Sequence, residues 1–182
     1  NLTIRSSLPL RGGTGLTGQP LNSSVRSLVK AADFETYYFL RLYSIDFNAA
    51  ANTARMIKRY KRGDVVSALL RELAVSYARP FSVNKGKLFP KHQLSLVYVP
   101  KASRSLHSEL LELRQHQFAH TDLNFHSPKI SRLITKGEPI YPMSFKSFDY
   151  QALLRQLPAI ETLINEVALN VNAKIKQYEQ GF

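Results

Sequence analysis

Apolar residues recur at helical intervals over most of the chain. From Asp33 to about Tyr60 the segment is rich in Phe, Tyr, Leu and Ala. Phe39, Leu42, Tyr43, Phe47 and Ala50 share one face there, at three- and four-residue spacing. This predicts a long helix ending at Lys61–Gly63, where bases meet the negative end of the helix dipole and a glycine follows. Asp64 is placed to cap a second helix, Val65–Ala78, with Val66, Leu69, Leu70, Leu73 and Tyr77 as its stripe, and Pro80 stops it. Ser103 is placed to cap a third helix running to about Ala119. Asp149 is placed to cap a last one running to about Tyr178, kinked at Pro158. Upstream, Ser23 or Ser24 can cap a short helix over Val25–Ala32. Three consecutive aromatics, Tyr37, Tyr38 and Phe39, must cover different helix faces. At least one of them is expected to be exposed or at an interface.

Between the helices the pattern changes. Residues 80–101 hold three prolines, a glycine and many bases, the composition of a long loop, and its apolar end Leu94–Val99 has the look of a short strand. Lys129–Ile134 and Pro139–Phe145 flank Lys136-Gly137-Glu138, the outline of an irregular hairpin, although the prolines argue against a central strand. Residues 1–22 lack any period and read as a flexible arm, and residues 23–182 read as a single domain. The expected fold is an all-α bundle of four or five helices with long decorated loops and a short irregular hairpin.

Charge sharpens this picture. The 182 residues carry 25 Lys and Arg against 13 Asp and Glu, a formal net charge of +12, which favours a polyanion as partner, nucleic acid being the commonest. The bases are clustered: from Ala54 to Arg104 there are twelve against two acids, whereas from Asp149 to Phe182 there are three against four. Arg55, Lys58, Arg59, Lys61 and Arg62, with Tyr60 among them, are candidates for phosphate contacts and base stacking, and Arg79 is a further candidate. The same residues also fit a solvated helix end that complements its dipole. The chain has no cysteine, which excludes a disulfide scaffold, a thiolate metal site and a cysteine nucleophile. No stretch approaches the ~20 apolar residues that span a bilayer, so no membrane partner is expected. Separately, the expected compartment is the cytoplasm.

The third helix holds the candidate chemistry. On an α-helical wheel Arg114 falls in the middle of the apolar stripe, among Leu106, His107, Leu110, Leu111 and Phe118, while Glu109, Glu112 and His116 lie opposite. A guanidinium there needs a counterpart: an internal carboxylate, a cleft, or a dimer interface where an anion enters. His120 follows six residues later, near the expected helix end, and Thr121-Asp122 is placed to cap a following turn, Leu123–His126. A neutral histidine beside an arginine combines a proton-transfer group with an anion clamp, which suits phosphodiester cleavage without a metal. A rival reading takes His116 and His120, at i and i+4, with Glu112, Asp122 and His126, as metal ligands. Against it, Gln117 stands where the zinc-protease motif needs its catalytic Glu, so no metal or other cofactor is expected.

The run Leu113-Arg-Gln-His-Gln-Phe-Ala-His-Thr-Asp122 resembles the signature of HEPN domains, helical nucleotide-binding and ribonuclease modules of prokaryotic toxin–antitoxin and phage-defence systems. Their motif is Arg, four to six residues, then His. Arg114 and His120 match it, and Gln115 occupies the position where Asn, Asp or His is more usual. The resemblance implies a homodimer whose two motifs face one cleft. It also implies Arg114, Gln115 and His120 as catalytic residues, metal-independent RNA cleavage leaving a cyclic phosphate, and an antitoxin as a potential partner. Family members that only bind nucleic acid or a protein partner make a non-catalytic binding module the alternative.

Overall fold

The computed structural model describes residues 31–118, 126–146 and 148–181. The expected arm, the helix start at Ser23–Ser24, His120 and the capped turn at Thr121-Asp122 lie outside these residues. The first apolar stripe forms α1 (Ala31–Ile57), which takes in Ala31 and Ala32 from the expected short helix over Val25–Ala32, the rest of which lies outside the described residues. Its buried face is Phe39, Leu40, Tyr43, Phe47, Ala50, Ala54 and Ile57. Leu40 replaces Leu42, which is exposed. Of the aromatic triplet Phe39 is core and Tyr38 faces solvent. The small residues Ala50 and Ala54, fully buried, let neighbouring helices approach this end closely.

The second stripe forms α2 (Gly63–Ala78), whose buried face includes Val66, Leu70, Leu73 and Tyr77, with Leu69 at its margin. The capping position is Arg62, not Asp64. Asp64 lies inside the first turn, where its carboxylate pairs with Arg62, and that guanidinium holds the carboxyl below its usual range. α1 packs along both α2 and the last helix, α5 (Leu157–Gln180). The α1–α5 pairing is antiparallel: Tyr37 donates to Glu179 at 3.0 Å, Ser44 to Asn172 at 3.0 Å, and Lys58 meets Glu161 at 2.6 Å. The buried face of α5 recurs in threes and fours, at Leu157, Ile160, Leu163, Ile164, Val167, Val171 and Ile175.

The last helical pattern is broken rather than kinked. Asp149 accepts from the Ala152 backbone N–H at 2.9 Å and caps α4 (Tyr150–Arg155), as expected. Gln156 interrupts the run, and Pro158 then sits in the first turn of α5, where its missing N–H costs nothing. The third helix, α3 (Arg104–Glu112), also stops short of its expected end. Residues Leu113–Phe118 continue it as a π-helical turn. Ser103 occupies the capping position but makes no capping bond; its hydroxyl reaches Glu166 at 3.5 Å.

The described residues are therefore mostly helical, with five helices and a small β element, so the bundle is not all-α. Two strand pairs, β1 (Lys129–Ile130) with β4 (Met143–Ser144) and β2 (Leu133–Thr135) with β3 (Glu138–Ile140), form one antiparallel ribbon. Both pairs keep a single register, and the Ser131 N–H donates to the Pro142 carbonyl between them at 3.0 Å. Pro142 has no N–H to return, which interrupts the ladder. The two-residue turn has positive φ at Lys136 (52°) and Gly137 (86°), the type I′ geometry that suits the twist of a hairpin. The expected strand at Leu94–Val99 is instead a 3₁₀ turn over Leu96–Tyr98. Leu94 and Val99 are buried and Val97 points to solvent, so the segment bends to bury its two ends.

Candidate functional site

α2 ends where Arg79-Pro80-Phe81 turns the chain through one 3₁₀ turn. The loop that follows and the π-helical turn after α3 face each other across an open cleft of about 440 Å³. Phe81, Ser82, Val83 and Gln93 line one side, and Leu111, Glu112, Arg114, Gln115 and His116 line the other.

The π-helical turn decides what enters this cleft. A continuous α-helix would carry Arg114 into the middle of the apolar stripe. Leu113, at the start of the turn, takes the buried position, and Arg114 beside it is a partly exposed lining residue. Its Nη1 donates to Gln115 Oε1 at 3.1 Å, so the two candidate residues act as one polar unit. Single π turns of this kind recur at functional sites because they redirect side chains. Phe118 closes the turn against Phe148 and Tyr150, with centroids at 5.9 and 6.4 Å, and Arg71 stacks over its ring.

Beneath the cleft the packing is aromatic. The Phe81 ring meets His107 edge-on at 4.5 Å and Tyr77 at 5.5 Å. The Tyr77 hydroxyl and His107 Nδ1 are 2.8 Å apart, both side chains buried. Burial, and then the charge of Arg104, push the His107 imidazole below its usual value, and burial pushes the Tyr77 phenol up.

The opposite wall is tied to α1. Asn84 and His92 exchange two backbone hydrogen bonds of 2.8 Å. The His92 ring stacks on Phe39 at 4.2 Å and 6°, and its Nδ1 lies 2.8 Å from the Tyr43 hydroxyl, whose pKa burial pushes up to about 12. At the loop tip the Glu35 carboxylate accepts from three successive backbone N–H groups, those of Lys87, Leu88 (2.7 Å) and Phe89 (3.2 Å). Gly86 leaves room for that carboxylate and for the Phe39 ring, which a Cβ would approach to 2.9 Å. Lys85, Lys87 and Lys91 are exposed on this same loop.

The structure divides the residues singled out by sequence. Arg114 and Gln115 stand together at the cleft, and His120 lies outside the described residues. Arg55, Lys58, Arg59, Lys61 and Arg62 are exposed, but they sit at the opposite end of α2, about 22 Å along its axis from Ala78. Several are engaged: Arg55 with Asn52, Lys58 with Glu161, Arg62 with Asp64. Arg55 also borders a smaller polar hollow of about 300 Å³ with Asn48, Glu161 and Asn165. Arg79 pairs with Asp46 on α1 at 2.7 Å.

Sequence counted the loop lysines only within the basic cluster from Ala54 to Arg104 and did not single out Phe81 as a cleft residue; it offered His116 either on the solvated face of an α-helix or as a metal ligand. The signal for Phe81 was its place directly after Arg79-Pro80 at the helix exit. Among the described residues no three His, Asp or Glu side chains gather as a metal site, and no helix is long and apolar enough to cross a membrane. Chemically, the open cleft offers the Arg114 guanidinium and the Gln115 amide as donors to an anion, with the Glu112 carboxylate and the His116 imidazole on the same side. Comparison with known proteins finds no matching family model, no matching curated protein and no matching solved structure, so the chemistry of this cleft carries its functional reading.

Proposed function

We propose that this chain is an RNA-binding, HEPN-like helical protein of a toxin–antitoxin or phage-defence system, acting in the cytoplasm as a homodimer. Arg114, Gln115 and His120 form its metal-independent endoribonuclease site. The observation that carries the reading is that Arg114, beside Gln115 on the π-helical turn, lines an open cleft and is partly exposed there. In this scheme the guanidinium holds the scissile phosphate and stabilises the charge that builds on it. Gln115 fixes its orientation, and His120 removes the ribose 2′-hydroxyl proton. The attacking 2′-oxygen then closes a 2′,3′-cyclic phosphate and breaks the P–O5′ bond, and the departing 5′-oxygen takes a proton from water to leave as a hydroxyl. Lys85, Lys87 and Lys91, exposed on the facing loop, add positive field, and the bases at the end of α1 extend it for a longer strand.

The test is cleavage of a single-stranded RNA by purified protein in excess EDTA, beside Arg114→Ala and His120→Ala. The expected outcome is cleavage that survives chelation, leaves cyclic-phosphate ends and falls by at least about 100-fold in either variant, the usual contribution of such a group. Binding without cleavage by all three proteins, lost at high salt, would assign the chain to the non-catalytic nucleic-acid-binding class instead.

A further inference from the structure

The β-ribbon plays no part in the cleft, and every residue from 127 to 146 is exposed. Its single register fixes which side chains share a face. Ile130 is cross-strand from Met143 and Ile134 from Pro139. The alternation of a pleated strand adds Arg132, Tyr141 and Phe145 to that side. The opposite side carries Lys129, Ser131, Thr135, Glu138 and Ser144, with Leu133 and Ile140. One face is thus apolar around a single arginine. Ile130 is 65% exposed, Ile134 61%, Tyr141 62%, Met143 52% and Phe145 57%. A two-stranded ribbon is marginal by itself, and covering such a face is the usual way to stabilise it.

Charge narrows the occupant. Residues 129–146 hold four bases, Lys129, Arg132, Lys136 and Lys146, against one acid, Glu138, and that acid is on the other face. Among the described residues no ion pair engages these four. A second copy would bring another Arg132 and no carboxylate to the seam, so the face is not self-complementary. RNA would satisfy the charge but would leave Ile130, Ile134, Pro139 and Met143 without a partner, since stacking uses π-faces. Aromatic, Met and Arg side chains are what protein interfaces enrich. Two strands about 4.8 Å apart, with their side chains, present a face about as wide as one helix.

We propose that the apolar face of residues 130–145 is the docking surface for an acidic amphipathic helix of a protein partner. The partner's apolar stripe covers Ile130, Ile134, Tyr141 and Met143, and one of its carboxylates pairs with Arg132. This surface is separate from the cleft and stands whether or not the chain cleaves RNA.

The experiment is selection of a displayed library of random 16-residue peptides on the full-length chain, counter-selected on the Arg132→Glu/Ile134→Asp double variant. The expected result is enrichment of amphipathic peptides with more Asp and Glu than Lys and Arg. Synthetic versions are then expected to bind at least tenfold more weakly to each single variant. Both substitutions lie on exposed residues, and unchanged helical circular dichroism serves as the folding control. Three results would overturn the proposal. One is enrichment without net acid, or indifference to the variants. Another is a dimer in sedimentation that Ile134→Asp dissolves. The third is displacement of the selected peptides by a 20-nucleotide poly(U) RNA.

Discussion

Replacing Tyr77 with Phe tests the packing on which the cleft rests. The substitution removes one hydroxyl from a fully buried ring and leaves its shape unchanged. That hydroxyl is 2.8 Å from His107 Nδ1, and the histidine is only 4% exposed, so water has little access to the nitrogen left behind. An orphaned buried polar atom costs about 1–3 kcal/mol. For a domain of this size that corresponds to a fall in melting temperature of about 3–9 °C. Urea unfolding followed by circular dichroism measures it, and the slope should not change, because the surface exposed on unfolding does not.

His107→Leu orphans the tyrosine instead. The double variant lacks both polar groups and is expected to be more stable than the sum of the two single losses predicts, with a coupling of about 1–3 kcal/mol. Phe81 leans on His107 at 4.5 Å, so the single variants should also loosen the cleft floor and raise acrylamide access to aromatic fluorescence. A loss below about 0.5 kcal/mol for Tyr77→Phe, or strict additivity in the cycle, would refute the claim that this pair is a closed, dry unit.

Other outcomes follow from the same physics. Burial holds His107 below its usual value of about 6.5, so the folded state binds its proton less readily than the unfolded chain; the stability it contributes is complete above about 6.5 and is lost as pH falls below it, at up to about 1.4 kcal/mol per unit. Chemical denaturation from pH 7.5 to 5 measures that slope, which His107→Leu should reduce. Gly86→Ala drives a Cβ into the Glu35 carboxylate and the Phe39 ring and should cost about 1–3 kcal/mol, with earlier proteolysis of residues 82–93 as the local readout. Lys136→Asn replaces a residue at φ 52° with one that favours the left-handed region; the ribbon should gain about 1 kcal/mol, and exchange of its ladder amides should slow about fivefold.

The parts of the fold that rest on local rules are readable from spacing. The stripes of α1 and α2, the Asp149 cap and the Lys136-Gly137 turn each depend on residues within one or two turns of one another. What escapes the sequence is set at a distance. The π-helical turn depends on Leu113 finding the core beside α2 and on Phe118 finding Phe148 and Tyr150, and no helical period encodes that. A wheel therefore buries Arg114, which the structure leaves partly exposed. The Asp64 cap was misplaced by two residues because Gly63 tolerates entry into the helix and Arg62 takes up the carboxylate. Leu94–Val99 has strand-like composition but no neighbouring strand to pair with among the described residues. At the site, Arg114 and Gln115 were legible from their motif. The wall that faces them was not, because its geometry is imposed from α1.

The Glu35 staple has a consequence for the order in which the molecule assembles. It joins backbone groups 52 to 54 residues away. Closing a free chain of that length costs about 3.5 kcal/mol in entropy. Once α1 and α2 have docked, only about nine residues separate Ala78 from the staple, and closure costs about 1.9 kcal/mol. The difference makes the early closed form roughly tenfold rarer, so the helical pair forms first and the loop zips onto it afterwards. A chain whose loop has not yet closed onto α1 therefore carries the arginine without the wall that faces it.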